Sequence, residues 1–455
     1  MPANILLITV DDMDAGTPGV FGGPAGVTPR IDALAAEGMM FRRGHVPAAV
    51  CQPSRSAIMS GRWPHRNGAE GFEPVRDDVP LLTNLLAGQG YACGILGKVE
   101  HLQPIGRFGW DTAVGMRELG MGRNPEIYGT RARRFFDEAA GQGRPWFLMA
   151  NAHDPHRPFH GSLSERQRWS EEERATYPGP SDEVQVTDEA PPGFLPDLPD
   201  VRHEFHEYLA SCRRADDVVK AVLDALDGSG QAGETLVFFL SDNGMPFPFA
   251  KANCYLRSTL TPFIARWPGV VRPGAVEPDV FVSMLDLFPT VCDVLGIDPG
   301  DVDGRSLMAL LTGRGGTVET GRERIFSVFH ETAMRRRLEM RCVQDARWGY
   351  IWNAWSDGCT MYVAENMQGL TWPAMEAAAA TDADVAARVA FYRSRVPEEL
   401  YDLETDPHAL VNLADSPEHR ARLNQARRAL STWMADVGDP LAERFIADVM
   451  SGLSA

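Results

Sequence analysis

Five short apolar runs govern what this chain can fold into: Ile5–Val10 (ILLITV), Ala92–Leu96, Trp146–Ala150, Leu236–Leu240 and Pro262–Ala265. None shows the polar alternation of a half-exposed strand, so each reads as a strand buried on both faces. Helical patterns lie between them. Thr28-Pro29 reads as an N-cap with proline in the first turn, and Gly38 follows the last periodic residue. Val201–Leu226 carries a long amphipathic repeat stopped by Gly228. Strand and helix in alternation specify the α/β class: a large, mostly parallel sheet sandwiched by helices.

The pattern changes near residue 322. Ile325–Phe329, Met340–Val343, Trp348–Trp352 and Glu398–Leu403 read as short strands of a smaller antiparallel sheet, with a helix from Pro417 to about Val437. The expected organisation is a main α/β domain over 1–321 and a smaller α+β subdomain over 322–455 packed on it. Residues 161–200 are rich in Pro, Glu, Asp and Ser and show little periodicity. They read as a long loop, either ordered for function or a surface excursion.

Composition narrows the class. A chain of 455 residues, 44% hydrophobic, can bury a core without disulfides or structural metals. The net charge of −18 argues against general nucleic-acid binding. It is compatible with an anionic substrate, because a cation and a few Lys or Arg reverse the local field in a cleft. Seven cysteines without a CxxC pair give no disulfide framework. No apolar run approaches the roughly 18 residues of a membrane span. The N-terminus, MPANILLITVDD, enters a strand almost at once, without a basic segment or cleavage site. The expectation is a reduced, cytoplasmic protein, with a precursor already trimmed as the alternative.

Ligands of an open parallel sheet collect beyond the carboxyl ends of its strands. Asp11 and Asp12 follow ILLITV, Lys98 and His101 follow ACGIL, His153 and His156 follow WFLMA, and Asp242 and Asn243 follow LVFFL. Each has an ordinary explanation alone. Asp-Asp and SDNG suit turns, the histidines suit caps, and the lysine suits solvent. Four strand ends delivering such groups to one edge is a stronger statement. Asp11, Asp12, Asp242 and Asn243 offer hard oxygen ligands, which suit Ca²⁺ or Mg²⁺ better than zinc.

The segment AVCQPSRSAIMSGR at 49–62 places Cys51 at a helix start, with Pro53 tolerated in the first turn. Helix N-termini favour anions. A thiolate is nevertheless a poor partner for a hard cation, which suggests that the working group there is an oxygen.

Cys51-Gln52-Pro53-Ser54-Arg55 resembles the C-x-P-S-R signature of type I sulfatases, and the likeness, with Asp11-Asp12 before it and Asp242-Asn243 after it, spans nearly the whole chain. EELYDLETDPHALVNLA at 398–414 resembles the usual C-terminal sulfatase segment. Within the family, AHDPHRPF at 152–159, SDNGMPFPFAKANCY at 241–255 and His330-Glu331 are most similar to the sulfamidase (N-sulfoglucosamine sulfohydrolase) branch. Two departures stand out. GKVEH sets His101 three residues after Lys98, where many relatives have two, and the cation after SDNG falls at Lys251.

The resemblance implies an alkaline-phosphatase-like fold and oxidation of Cys51 to Cα-formylglycine by a separate formylglycine-generating enzyme. It implies one divalent cation, calcium first, with magnesium or manganese as alternatives, held by Asp11, Asp12, Asp242, Asn243 and modified Cys51. The hydrated aldehyde then carries two hydroxyls: one attacks sulfur, and loss of the other's proton expels sulfate. By motif match, Arg55 neutralises the crowded anions, Lys98 and Lys251 grip sulfate oxygens, and His101 takes the proton in the second step. His156 serves the leaving group, while His153, His330 and Glu331 are candidate substrate contacts.

The implied substrate is a small sulfated sugar, aryl or alkyl compound, with no nucleic acid and no membrane as partner; an oligomer is compatible with the sequence. The rival reading is a phosphonate or phosphate ester hydrolase of the same superfamily. Asn243 weighs against it, since phosphonate hydrolases of this kind often carry histidine there. A second rival is an unmodified chain that binds a divalent ion and an anion without catalysis.

Overall fold

The computed structural model describes residues 3–182, 189–313 and 321–451. Its strands in chain order are β1 (Asn4–Val10), β2 (Met39–Phe41), β3 (Gly44–His45), β4 (Ala92–Leu96), β5 (Thr112–Val114), β6 (Trp146–Asn151) and β7 (Thr235–Ser241). They continue as β8 (Phe263–Arg266), β9 (Ala275–Glu277), β10 (Val282–Ser283), β11 (Arg324–Glu331), β12 (Arg337–Asp345), β13 (Trp348–Asn353) and β14 (Glu398–Asp402).

Eight strands form the main sheet in the order β5-β4-β6-β1-β7-β8-β2-β9. Its centre is parallel: β1 lies between β6 and β7, with Thr9 opposite both Asn151 and Leu240. β8 runs antiparallel to β7 and β2, so the sheet is mixed towards that edge. β3 and β10 make a separate parallel ribbon.

Alternation along β1 divides the core. Leu6, Ile8 and Val10 join one hydrophobic cluster with the helices Pro125–Gly141 and Pro199–Gly228, while Ile5 and Leu7 join another with Ile58, Leu82, Leu86 and Phe288. Both faces are therefore covered, which is why these strands read as continuous apolar runs. Each fully buried Leu or Ile contributes roughly 1.5–3 kcal/mol relative to exposure.

β11 to β14 form a four-stranded antiparallel sheet backed by the helix Arg420–Asp436. The first hydrophobic cluster crosses into this part, uniting Phe329, Met340, Ile351 and Tyr392 with the main-sheet residues Leu6 and Val10. Val328 N–H also donates to the Pro47 carbonyl at 2.8 Å. The seven cysteines are all free, and among the described residues no helix is long and apolar enough to cross a membrane.

Three local expectations need correction. Thr28 precedes the helix α1 (Pro29–Glu37) but its side chain does not cap it. Asp216, on the helix Pro199–Gly228, accepts from Arg30 N–H at 3.0 Å and Ile31 N–H at 2.8 Å instead. A carboxylate reaching from a packed neighbour satisfies the free donors that a local cap would otherwise take. The helix Pro199–Gly228 does end at Gly228, but Ser229 rather than the glycine takes the C-cap position. The stretch 161–200 holds two short helices, Leu163–Arg168 and Glu171–Arg174, N-capped by Ser162 and Ser170. Part of that stretch, 183–188, lies outside the described residues.

Candidate active site

The helix α2 (Cys51–Ser60) starts directly after the extended residue Val50. Pro53 occupies its first turn, where a missing N–H breaks no helical hydrogen bond. Gly61 ends the helix at φ 64°, and its N–H returns to the Ala57 carbonyl. All ten residues of α2 are buried, and Cys51 is only 4% exposed. Its N-terminal end therefore sits inside the protein, against the ends of β1 and β7.

Those ends are laced together. Asp242 N–H donates to the Val10 carbonyl and Met13 N–H to Ser241 Oγ. Asp12 N–H donates to Asp242 Oδ1 at 3.1 Å. Asp12 adopts φ 73°, a left-handed conformation that Asp tolerates better than most residues and that turns the chain sharply after the strand. As a result, oxygens of Asp11, Asp12 and Asp242 and the sulfur of Cys51 all lie within 4.8 Å of one another. The Cys51 S–H donates to Asp11 Oδ1 at 3.3 Å.

The group chemistry fits a hard cation. Asn243 Oδ1 is buried and accepts no hydrogen bond from the described residues, while the buried Asp11 Oδ2 and Asp242 Oδ2 are balanced only by the cationic side chains of Lys98 and Arg55. Asn243 lies beside them, its Nδ2 donating to Asp12 Oδ1 at 2.6 Å. Three carboxylates and an amide oxygen are the ligand types that calcium and magnesium take.

Cations ring the cluster. Arg55 donates through Nη1 to Thr9 Oγ1 at 2.7 Å and Asn151 Oδ1 at 2.6 Å. Its Nη2 stands 2.8 Å from Asp242 Oδ2 and 3.8 Å from Asp11 Oδ2. Asn151 in turn donates to the Leu96 and Gly97 carbonyls, so one amide ties the ends of β1, β4 and β6. Lys98, left-handed at φ 56°, pairs with Asp11. Lys251 donates to Asp12 Oδ1 at 2.6 Å and to Cys51 Sγ at 3.2 Å.

Burial and charge set the protonation states. Burial pushes the Cys51 thiol well up, and Asp242 and Asp12 reinforce this against Lys251, so sulfur stays protonated. Burial also raises Asp12, with Lys251 opposing. Burial pulls Lys98 down to about 7. Burial opposes the Lys251 charge most strongly of any single cause, but Asp12, Cys51, Glu365 and Asp242 together outweigh it and hold this ammonium above its usual range. His101, His153 and His156 are driven well below the ordinary imidazole value, first by burial and then by Lys98 for the first two and Lys251 for the third.

His153 and His156 stack with ring centroids 4.9 Å apart, and His156 Nε2 comes within 3.9 Å of Asp12 Oδ2. His156 therefore lines the cluster, with His153 packed against it. Between them Asp154 is fully buried and takes Arg123 Nε at 2.9 Å and Arg214 Nη2 at 3.1 Å. Arg123 also donates to the His156 carbonyl, which fixes the backbone carrying that imidazole. His101 is half-buried, its ring nearly perpendicular to that of Phe72 with centroids 6.5 Å apart.

The structure does not bring His330 to this cluster. It is buried beside His65, at a ring separation of 6.4 Å, and 3.6 Å from Glu70. Glu331 packs against Gly71 and lies 3.6 Å from Arg335. Sequence reasoning also passed over residues that hold the site. Tyr362 donates to the Ala252 carbonyl at 2.8 Å, and Asn366 donates to the Lys251 carbonyl. Asn253 bonds to Tyr362 and Tyr392, and Arg395 to Asn253. The C-terminal part thus grips the backbone of Lys251.

Residues 3–297 match the family model described as Sulfatase. The chain belongs to the sulfatase family. A second model, N-sulphoglucosamine sulphohydrolase, C-terminal, matches residues 247–363 of this family member. The human N-sulphoglucosamine sulphohydrolase is 30% identical, with 96% of this chain and 91% of that protein covered. An ulvan-active sulfatase of Formosa agariphila is 26% identical, covering 96% of this chain and 75% of its own length. Among solved structures, a protein in complex with its substrate D-glucosamine-2-N,6-O-disulfate superposes with a TM-score of 0.72 at 17% identity, covering 97% of this chain and 99% of that one. The phosphonate monoester hydrolase of Agrobacterium radiobacter shares the fold at TM-score 0.67 and 18% identity, covering 96% of each chain. The resemblance to sulfatases, and within them to the sulfamidase branch, is therefore borne out, as is the two-sheet α/β architecture.

Proposed function

We propose that this member of the sulfatase family hydrolyses a sulfate ester or sulfamate of a small sugar, aryl or alkyl compound. The observation that carries the reading is the meeting of Cys51, three Asp carboxylates and Lys251 at the buried start of α2. The family model and the human relative support sulfate over phosphonate.

Cys51, converted to Cα-formylglycine by a separate maturation enzyme, supplies an oxygen nucleophile and a second hydroxyl able to expel sulfate. A divalent cation, with calcium the first candidate, would be held by Asp11, Asp12, Asp242, Asn243 and residue 51, and would supply charge neutralisation there.

The chain's own residues do the rest. Lys251 and Lys98 flank position 51 and hold sulfate oxygens as charge shifts among them. Arg55 offsets the carboxylates and is fixed by Thr9 and Asn151 before substrate arrives. His101 is neutral and accepts a proton as sulfate departs. His156 contacts the Arg157 carbonyl through Nδ1 at 2.5 Å, so that nitrogen carries a proton, and Nε2, 3.9 Å from Asp12 Oδ2, serves the leaving group by first taking up the proton released by the attacking hydroxyl and then passing it on.

Parallel kinetics on aryl sulfate, sugar sulfamate and phosphonate esters, using chain whose conversion at position 51 is verified by intact mass, test the reading. A kcat/KM for phosphonate above both sulfated substrates would replace it with the rival.

A further inference from the structure

A continuous series of contacts runs from His101 to Lys251. His101 meets the edge of Phe72. Arg335 covers the Phe72 ring at 5.3 Å and donates to its carbonyl at 3.3 Å. The turn after β11 carries Arg335 back to Ala333, whose N–H donates to Glu365 Oε2 at 3.0 Å. Asn366, the next residue, donates to the Lys251 carbonyl. Glu365 therefore closes a frame that starts at one proton-handling group and ends at one sulfate-gripping lysine.

Only half of the Glu365 carboxylate is used. Its Oε2 has the Ala333 donor, but its Oε1 is buried and accepts no hydrogen bond from the described residues. A buried carboxylate oxygen without a donor is costly, and its cost is relieved when something brings one. Lys251 is near enough to feel Glu365, yet its ammonium is committed to Asp12 and Cys51. The vacant acceptor thus belongs to the segment that holds Lys251, next to Asn366.

We propose that Glu365 Oε1 accepts a hydrogen bond from the leaving group, and so selects sulfated compounds that carry an O–H or N–H donor next to the sulfated atom. Polyols and amino sugars qualify; plain aryl sulfates do not. The inference rests on the sulfatase reading above and adds the residue that would discriminate among its substrates.

The test compares kcat/KM for N-sulfoglucosamine and 4-nitrophenyl sulfate in the converted full-length wild type, Glu365→Gln and Glu365→Ala. Glu365→Gln is nearly isosteric and keeps an acceptor for Ala333, so it guards against misfolding of the alanine variant. The sugar-to-aryl ratio is expected to fall about 10- to 100-fold in both variants. An unchanged ratio overturns the inference. So does an equal loss on both substrates, which would assign Glu365 to holding Lys251. If the wild type hydrolyses neither compound, the sulfatase reading itself falls and takes this inference with it, a result distinct from the other two.

Discussion

Lys251 Nζ stands 3.2 Å from Cys51 Sγ and 2.6 Å from Asp12 Oδ1, so one ammonium touches both the nucleophile position and a candidate cation ligand. Its backbone is held by Asn366 and, through Ala252, by Tyr362, both from the C-terminal part. The charge is thereby set in place before substrate binds, which is the condition under which electrostatic stabilisation is most effective.

Replacing Lys251 with Ala or Met should lower kcat/KM on any accepted sulfated substrate by about 10²–10³. Steady-state kinetics check this directly. Asn366→Ala, which leaves the ammonium but frees its backbone, should give a smaller loss of the same sign. No loss in either variant would remove Lys251 from the site's working groups.

Cys51→Ala should abolish turnover, because the nucleophile is lost rather than one of its supports. The thermal midpoint should stay close to wild type, since only a small side chain is removed. Intact mass provides the companion measurement: active wild type should carry the deficit expected when CH₂–SH becomes CH=O. Full activity in protein with an unaltered thiol would defeat the assignment.

Chelation should remove activity and also lower the thermal midpoint, and calcium should restore both. Three buried carboxylates repel one another, and a cation that binds only the folded state adds about 2.7 kcal/mol at a hundredfold excess over its Kd. Asp11→Asn should blunt that thermal response. A midpoint indifferent to chelator and calcium alike would speak against the cation site.

Asp154→Asn should destabilise the fold by about 3–5 kcal/mol in urea titrations, because Arg123 and Arg214 would be left buried without their carboxylate. Although burial alone would raise the Asp154 value, Arg214 and Arg123 together hold it below 3.8. Its folded value is thus depressed, so its stabilisation is complete at neutral pH and is lost as pH falls through that lowered value. The wild-type and variant stabilities should converge in acid and diverge above it. A constant difference down to strongly acid pH would show that the carboxylate's charge is not what matters.

Much of this was readable from residues alone, for identifiable reasons. β1, β4, β6 and β7 are buried on both faces, so their sequences are unbroken apolar runs, and the polar residues that follow them mark the sheet edge. Thr9 and Asn151 were a missed signal: polar residues at the ends of such runs, they bind Arg55. The short helices at Leu163–Arg168 and Glu171–Arg174 follow S-x-x-E patterns at Ser162 and Ser170, but six and four residues are too few to show periodicity. Glu365 was invisible for another reason. Its segment, AENMQGL, has no pattern, and its meaning arises only when the chain brings it to a lysine more than a hundred positions earlier. His330 and Glu331 adjoin in sequence, but at the register shift between Phe329 and Glu331 β11 packs them against Glu70 and Gly71 rather than against the carboxylate cluster.

The burial of every residue in α2 bears on how active protein is made. A maturation enzyme has to grip several residues around Cys51, and the finished fold offers it none. On the proposed reading, conversion belongs to the nascent or unfolded chain, and collapse of the sheet around that helix ends the opportunity. The active fraction is then the outcome of a kinetic race, and slowing the folding of this chain would raise its yield of working molecules.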